Sequence, residues 1–292
     1  MNEIKGISIV ENASLKNLNT YKLESSCKYL IKAETVEGLI NILKYLKENK
    51  IKSFILGAGS NIIIDSYFDG AVIKLSGLKN IKVENDEIIC EAGAMMGALA
   101  CSSMEHNLTG LEWAINIPGT VGGSIVGNAG AYNKEIFDSL INIDVIDENL
   151  EIKRIDKEEI NHSYRHTALK NKPWIVIGAK FKLSLGNKEE SLKLVKDRSE
   201  RRNATQPLDM PSAGSVFRNP ENDHAGRLIE EAGLKGKKIG GAMISPKHAN
   251  FIVNTGNATS KDVKNLIELV HTQVYQKFNV DLVLEQEIID WK

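Results

Sequence analysis

The chain has 292 residues, 42% hydrophobic and 26% charged, the balance of an ordinary folded protein with room for two or three domains of roughly 150 residues or fewer. Its 37 lysines and arginines nearly cancel its 38 acidic residues, and a net charge of -1 provides no global field for nucleic acid or an anionic membrane. Three cysteines (Cys27, Cys90, Cys101) are too few and wrongly spaced for a disulfide scaffold or a four-cysteine zinc site.

In chain order, the start MNEIKGISIVENASLKNLN has no apolar h-region and is not expected to act as a signal peptide. Residues 29–33 read as a strand, and Thr35 then caps a helix with Leu39, Ile40, Leu43 and Leu46 at helical spacing. A buried strand at 51–56 runs into Gly57-Ala58-Gly59-Ser60-Asn61, and 71–75 is a further strand. From about 81 the pattern changes to short strands, 81–83 and 87–91 around Asn85-Asp86, followed by an Ala/Met-rich helix at 94–106. After a glycine-rich run come a hairpin (141–146 and 151–155) and a long strand at 174–185. A charged helix at 188–202 divides the chain. Beyond it lie a strand at 215–218, a helix at 224–232 and a strand at 251–254. A helix capped by Thr259 or Ser260 then places Val263, Leu266, Ile267, Val270, Val274 and Phe278 on one face, and 281–289 is expected as a closing strand.

Two stretches invite a ligand. Gly57 to Asn61 follows a strand, but GxGxxG fails because Ile62 holds the third glycine position, and the chain has no GK[ST] for a P-loop. A loop of exposed backbone N–H groups for a pyrophosphate remains open beside an ordinary glycine turn. Trp113 to Asn133 carries no charge but five glycines, Pro118 and three asparagines, too many breakers for a lipid-facing helix. Such a surface suits a large planar cofactor lying against backbone, while a tight β-corner or a linker is the alternative. Taken alone, Ser215 after Gly214 reads as a turn residue, Arg165 as a surface charge, and Glu285 and Glu287 as one face of an edge strand. The six histidines lack metal spacing, so no metal is expected.

Seven segments in order nevertheless resemble one family, the UDP-N-acetylenolpyruvoylglucosamine (UDP-N-acetylmuramate dehydrogenase) reductases. They are Asn12-Ala13-Ser14-Leu15-Lys16 with Thr20, LGAGSNIIIDSYFDGAVI (56–73), GLEWAINIPGTVGGSIVGNAGAY (110–132), SYRHT (163–167), RRNATQPLDMPSAGSVFRNP (201–220), LIEEAGLKGKKIGGAMISPKHANFIVN (228–254) and LEQE (284–287). The short stretch from His166 to Pro173 is similar to the family's shorter class, which lacks an inserted tyrosine-bearing loop. Departures are Glu24-Ser25 in place of an early Gly-Gly, Thr167 in place of a serine, and Ile288-Ile289-Asp290 after the last glutamate.

The resemblance implies a cytoplasmic flavoenzyme of peptidoglycan precursor synthesis. NADPH would reduce a non-covalent FAD, and UDP-N-acetylglucosamine enolpyruvate would become UDP-N-acetylmuramate. It implies an α+β chain: a vanillyl-alcohol-oxidase (PCMH-type) FAD-binding fold in two subdomains, 1–78 (βαβ-like) and 79–200 (antiparallel sheet with helices), and a C-terminal α+β substrate-binding domain, 201–292, whose last strand returns to the active site. The FAD cradle would be Gly57, Ala58, Gly59, Ser60, Asn61 and Ile62 with Pro118, Gly119, Thr120, Gly122, Gly123, Ser124, Asn128, Ala129 and Gly130. Ser215 would give a proton to substrate C2, Arg165 would pair with the enolpyruvyl carboxylate, and Glu287 would complete the proton-transfer site. Arg218, Asn219, Lys247 and His248 would meet the UDP-sugar diphosphate. No nucleic acid, membrane or metal partner is implied. An FAD-dependent oxidase of small alcohols would lack the GS–FRNP–KHANF domain, and a non-catalytic UDP-sugar-binding relative would have no need of Ser215, Arg165 and Glu287 together.

Overall fold

The first helix follows from its own sequence. In α1 (Val36–Glu48) the Thr35 hydroxyl accepts the Gly38 N–H at 3.0 Å, and Leu39, Ile42 and Leu46 form a buried stripe. That stripe packs with Ile31, Ala33, Ala71 and Ile73, each large side chain contributing about 1.5–3 kcal/mol by leaving water. The computed structural model describes residue 1 and residues 3–291. The chain forms two compact units, one of residues 1–12, 28–58 and 70–199, the other of 13–27, 59–69 and 200 onward.

A four-stranded sheet runs Ile7–Ser14, Ser26–Ala33, Tyr67–Lys74, Ser53–Ile55 in spatial order. The second sheet has five strands in the order Ile152–Asp156, Leu140–Ile146, Ile175–Lys182, Glu87–Glu91, Ile81–Glu84, all antiparallel. Both expected hairpins are there. Asn85 turns the first in the left-handed region (φ 57°), and Asp147 Oδ1 closes the second by accepting the N–H groups of Asn149 and Glu151, both at 2.9 Å. α2 (Met96–Glu105) follows the edge hairpin formed by Ile81–Glu84 and Glu87–Glu91.

The glycine-rich run holds a helix that small residues alone do not announce, α3 (Val121–Gly127). Thr120 caps it by accepting the Gly123 N–H at 3.3 Å, while Val121 N–H and Gly122 N–H donate to Ala94 O (2.8 Å) and Ala92 O (2.9 Å). These bonds and the fully buried Val121 and Ile125 offset the low helix propensity of glycine. α4 (Lys188–Thr205) is the expected charged divider, with Ser191 its buried residue.

The second unit has a three-stranded antiparallel sheet (Lys238–Ile239, Ala242–Ile244, Ile252–Asn254) with α5 (Ala225–Glu231) and α6 (Ser260–Phe278). A capping box between Thr259 and Asp262 starts α6, whose Val263, Leu266, Val270 and Val274 are buried. The expected strands at 215–218 and 281–289 are shorter than their patterns suggested. Phe217 and Leu284 form an isolated bridge, and Glu287–Ile289 pairs in parallel with Ile62–Ile64. Gln286 explains the break: its side chain turns inward, 2% exposed, and donates to Ala213 O at 3.1 Å and Gly214 O at 3.2 Å.

Candidate active site

Within the first unit the two small-residue stretches meet. Leu56 N–H donates to Ile73 O at 2.9 Å, which ends the strand and releases Gly57 into its turn. A Cβ on Gly57 would lie 3.0 Å from Thr120 Oγ1, so the turn packs directly on the start of α3. Glycine has several distinct reasons here. Gly122 is forced by packing, since its Cβ would come 2.9 Å from the Ala92 Cβ, and Gly119 would crowd Ser124 Oγ at 2.8 Å. Gly127 has neither reason: nothing lies within 4 Å of its Cβ position, and its φ is not in the left-handed region. Gly123, on the same face, meets only Thr120 Oγ1 at 3.2 Å. Pro118 is exposed and Ser124 is buried.

The same run meets the YR motif. His162–Ser163 and His166–Thr167 pair antiparallel, leaving Tyr164-Arg165 as a two-residue turn with Arg165 at φ 57°. Thr167, fully buried, fastens this hairpin by donating to Val126 O at 2.6 Å. Asn128, left-handed and buried, donates to Glu135 Oε2 (2.9 Å) and Ser163 O (2.8 Å), leaving its Oδ1 without a donor among the described residues. Arg165 is half-buried rather than a surface charge and donates to Gly130 O at 2.5 Å and Asn128 O at 3.4 Å. Ala129 N–H donates to Ser124 O at 2.8 Å, which shapes the turn that presents those carbonyls.

Gly59 to Ile62 lie in the second unit, where the fold makes its own use of them. Gly59 has φ 67°, and its Cβ would fall 2.1 Å from Leu18 O, so only glycine fits. Half-buried Ser60 follows it. Asn61 Nδ2 donates to Glu285 O at 3.1 Å, Asn61 O accepts the Glu287 N–H at 2.9 Å, and Ile62 is the register partner of Glu287. These residues therefore seat the closing strand.

Ser215 sits in the same unit after Gly214, which takes φ 76°. Asn250 fixes the segment that follows. Its main-chain O accepts Val216 N–H, its Oδ1 accepts Phe217 N–H, and its Nδ2 donates to Phe217 O, at 2.9, 2.9 and 2.8 Å. Val216 O in turn accepts the Glu285 N–H at 2.8 Å, so the Ser215 loop and the strand carrying Glu287 are joined.

A cavity of about 370 Å³ opens beside Ser215, and Asn219, Lys247 and His248 line it as well. Arg218 and Glu287 are not among its lining residues. The sequence reading missed His224, Arg227, Glu230 and Lys235 on its wall; Glu230 and Lys235 belong to a motif-bearing segment, but only the fold brings them beside Ser215. Arg227 is spoken for by Asp223 and Glu231, whereas Lys235 pairs with exposed Glu230 at 2.7 Å. Burial first, then the nearby Lys235 charge, lowers the His248 pKa, and His248 Nδ1 accepts the Asn250 N–H at 3.3 Å.

Residues 206–289 match the family described as UDP-N-acetylenolpyruvoylglucosamine reductase, C-terminal domain, and residues 27–156 match an FAD binding domain. A UDP-N-acetylenolpyruvoylglucosamine reductase of Caldanaerobacter subterraneus subsp. tengcongensis is 45% identical over 96% of this chain and 93% of its own length. The chain belongs to the UDP-N-acetylenolpyruvoylglucosamine reductase family. The reductase of Caldicellulosiruptor saccharolyticus is 41% identical over 97% of this chain and 92% of its own. The solved reductase of Thermus caldophilus superposes with a TM-score of 0.82 at 32% identity, covering 97% of this chain and 99% of that one.

The resemblance carried by the seven segments therefore holds, and the chain is an FAD-dependent oxidoreductase of peptidoglycan synthesis with an α+β fold that includes an FAD binding domain. The first unit fits FAD on its own geometry. A helical glycine that neither packing nor backbone conformation requires costs about 1 kcal/mol against alanine. At Gly127, where nothing lies within 4 Å, that loss would be offset if a flat ligand lay against the bare backbone.

Proposed function

We propose that this reductase converts UDP-N-acetylglucosamine enolpyruvate to UDP-N-acetylmuramate in the cytoplasm, with NADPH as the reductant. Residues 1–78 and 79–200 are the two halves of its FAD domain, and 201–292 its substrate domain. FAD held by the loops around Gly57 to Ile62 and Pro118 to Gly130 would supply the hydride chemistry between NADPH and C3 of the enolpyruvyl group. Charge then develops at C2 and the adjoining carboxylate. Arg165 pairs with that carboxylate; a guanidinium suits it because its planar fork matches two oxygens. Ser215 donates its hydroxyl proton to C2, which saturates the double bond, and recovers a proton from water. A serine hydroxyl is a weak acid but stays protonated at neutral pH, and the developing carbanion is strongly basic. Glu287 orients that proton. Lys247, His248, Asn219 and Arg218 receive the UDP diphosphate, and the loops around Gly57 to Ile62 and Pro118 to Gly130 hold FAD.

The observation that carries this reading is the cavity that brings Ser215 together with Asn219, Lys247 and His248 inside the segment matched to the family's C-terminal domain. A lysine and a histidine on the same wall supply a positive charge and hydrogen-bond donors suited to a diphosphate. The test is spectroscopic. The purified protein should be yellow, lose its visible band with NADPH under anaerobic conditions, and regain it when UDP-N-acetylglucosamine enolpyruvate is added. A protein that stays colourless after FAD is supplied, or that recolours without the enolpyruvyl substrate, contradicts the reading.

A further inference from the structure

Lys74 ends the strand Tyr67–Lys74, whose parallel register with Ser53–Ile55 sets Ile73 beside Ile55. That register carries the Lys74 side chain to the turn after Ile55, where its ammonium donates to the Gly57 carbonyl. Gly57 is the residue that packs on Thr120 at the start of α3, so the ammonium sits where the two small-residue stretches meet. Neither 57–61 nor 113–133 contains a charged side chain.

The placement is expensive for the fold alone. Lys74 is half-buried and has no carboxylate partner among the described residues, and burial pulls its pKa from 10.5 down to about 8. A single main-chain carbonyl does not require an ammonium, since any N–H or a water satisfies it. An anion arriving beside Lys74 would gain from the low local dielectric and relieve the desolvated charge. FAD brings such an anion in its diphosphate.

We propose that Lys74 is a cofactor-binding residue that supplies positive charge to the FAD diphosphate at the junction of the Gly57 turn and α3. The proposal rests on the reading of these loops as the cradle.

The test compares Lys74→Met, Lys74→Gln and Lys74→Arg with the wild-type chain, each freed of flavin and titrated by fluorescence with FAD and with riboflavin, which has no phosphate. Both neutral variants should bind FAD about 10- to 100-fold more weakly, as expected for loss of a charged hydrogen bond, and riboflavin unchanged. Lys74→Arg should keep FAD affinity within a few-fold. Unchanged FAD affinity in the neutral variants would overturn the proposal while leaving the cradle intact. Equal loss of FAD and riboflavin would overturn it too, by confining Lys74 to holding the Gly57 turn. Wild-type protein that binds no FAD would remove the cradle and the proposal together.

Discussion

Arg165 donates to the carbonyl of Gly130 at 2.5 Å, and a Cβ on Gly130 would stand 3.0 Å from Arg165 Nη1. The same Cβ would lie 2.3 Å from Lys134 O, so the loop cannot take a side chain without moving its carbonyls. The YR turn and the glycine-rich run are thus one object in the first unit. Gly130→Ala should leave the protein folded by circular dichroism and lower kcat/KM for the enolpyruvyl substrate by about 100-fold, the scale of an ångström's misplacement. Flavin reduction by NADPH should change much less. Undiminished turnover would separate the loop from the role proposed for Arg165.

Gly127→Ala has two opposite expected effects. Its Cβ meets nothing within 4 Å, so the flavin-free protein should gain about 0.5–1 kcal/mol in urea unfolding. FAD binding should weaken, because the methyl occupies the face assigned to the ligand. A stabilised protein with unaltered FAD affinity would take that face out of the cradle.

Gln286 is the hinge pin of the Ser215 loop. Besides holding two carbonyls there, its Oε1 accepts the hydroxyl of fully buried Tyr21 at 2.9 Å. Burial is also the main reason the Tyr21 pKa is raised. Gln286→Leu leaves these groups unpaired and should destabilise the protein by about 1–3 kcal/mol, seen as a lower urea midpoint. A neutral effect would mean that water replaces the amide.

His248 predicts a pH effect of definite sign. Its folded-state pKa is lowered below the ordinary 6.5, so between that lowered value and 6.5 the unfolded chain binds the extra proton. Stability should therefore fall as pH drops through this window and be unaffected above it. His248→Gln should flatten the loss of Tm between about pH 7 and pH 5. An identical acid limb in the variant would show that His248 does not titrate in that range.

Much of the local structure was legible because short-range chemistry fixes it. Thr35 capping α1, Asn85-Asp86 turning a hairpin, and the Thr259–Asp262 box are all readable from neighbouring residues. What escaped depends on distant partners. α3 hides in a Val-Gly-Gly-Ser run and is held by carbonyls of Ala92 and Ala94, far back in the chain. The closing strand breaks at Gln286 because Tyr21 and the Ser215 loop claim its side chain. Of the site, Ser215, Asn219, Lys247 and His248 were named from motifs and do share a cavity. Lys74 was invisible: a single lysine ending a strand carries no pattern, and only the parallel register with Ser53–Ile55 brings it to Gly57.

The central claim is that Ser215 supplies the proton to C2, and half-reaction kinetics of Ser215→Ala test it most directly. With the flavin bound, the rate of its reduction by NADPH should match wild type. Reoxidation by UDP-N-acetylglucosamine enolpyruvate should slow by orders of magnitude, about the 10²–10⁴-fold that a positioned general acid contributes. Reoxidation at the wild-type rate would contradict the account and remove Ser215 from the chemistry.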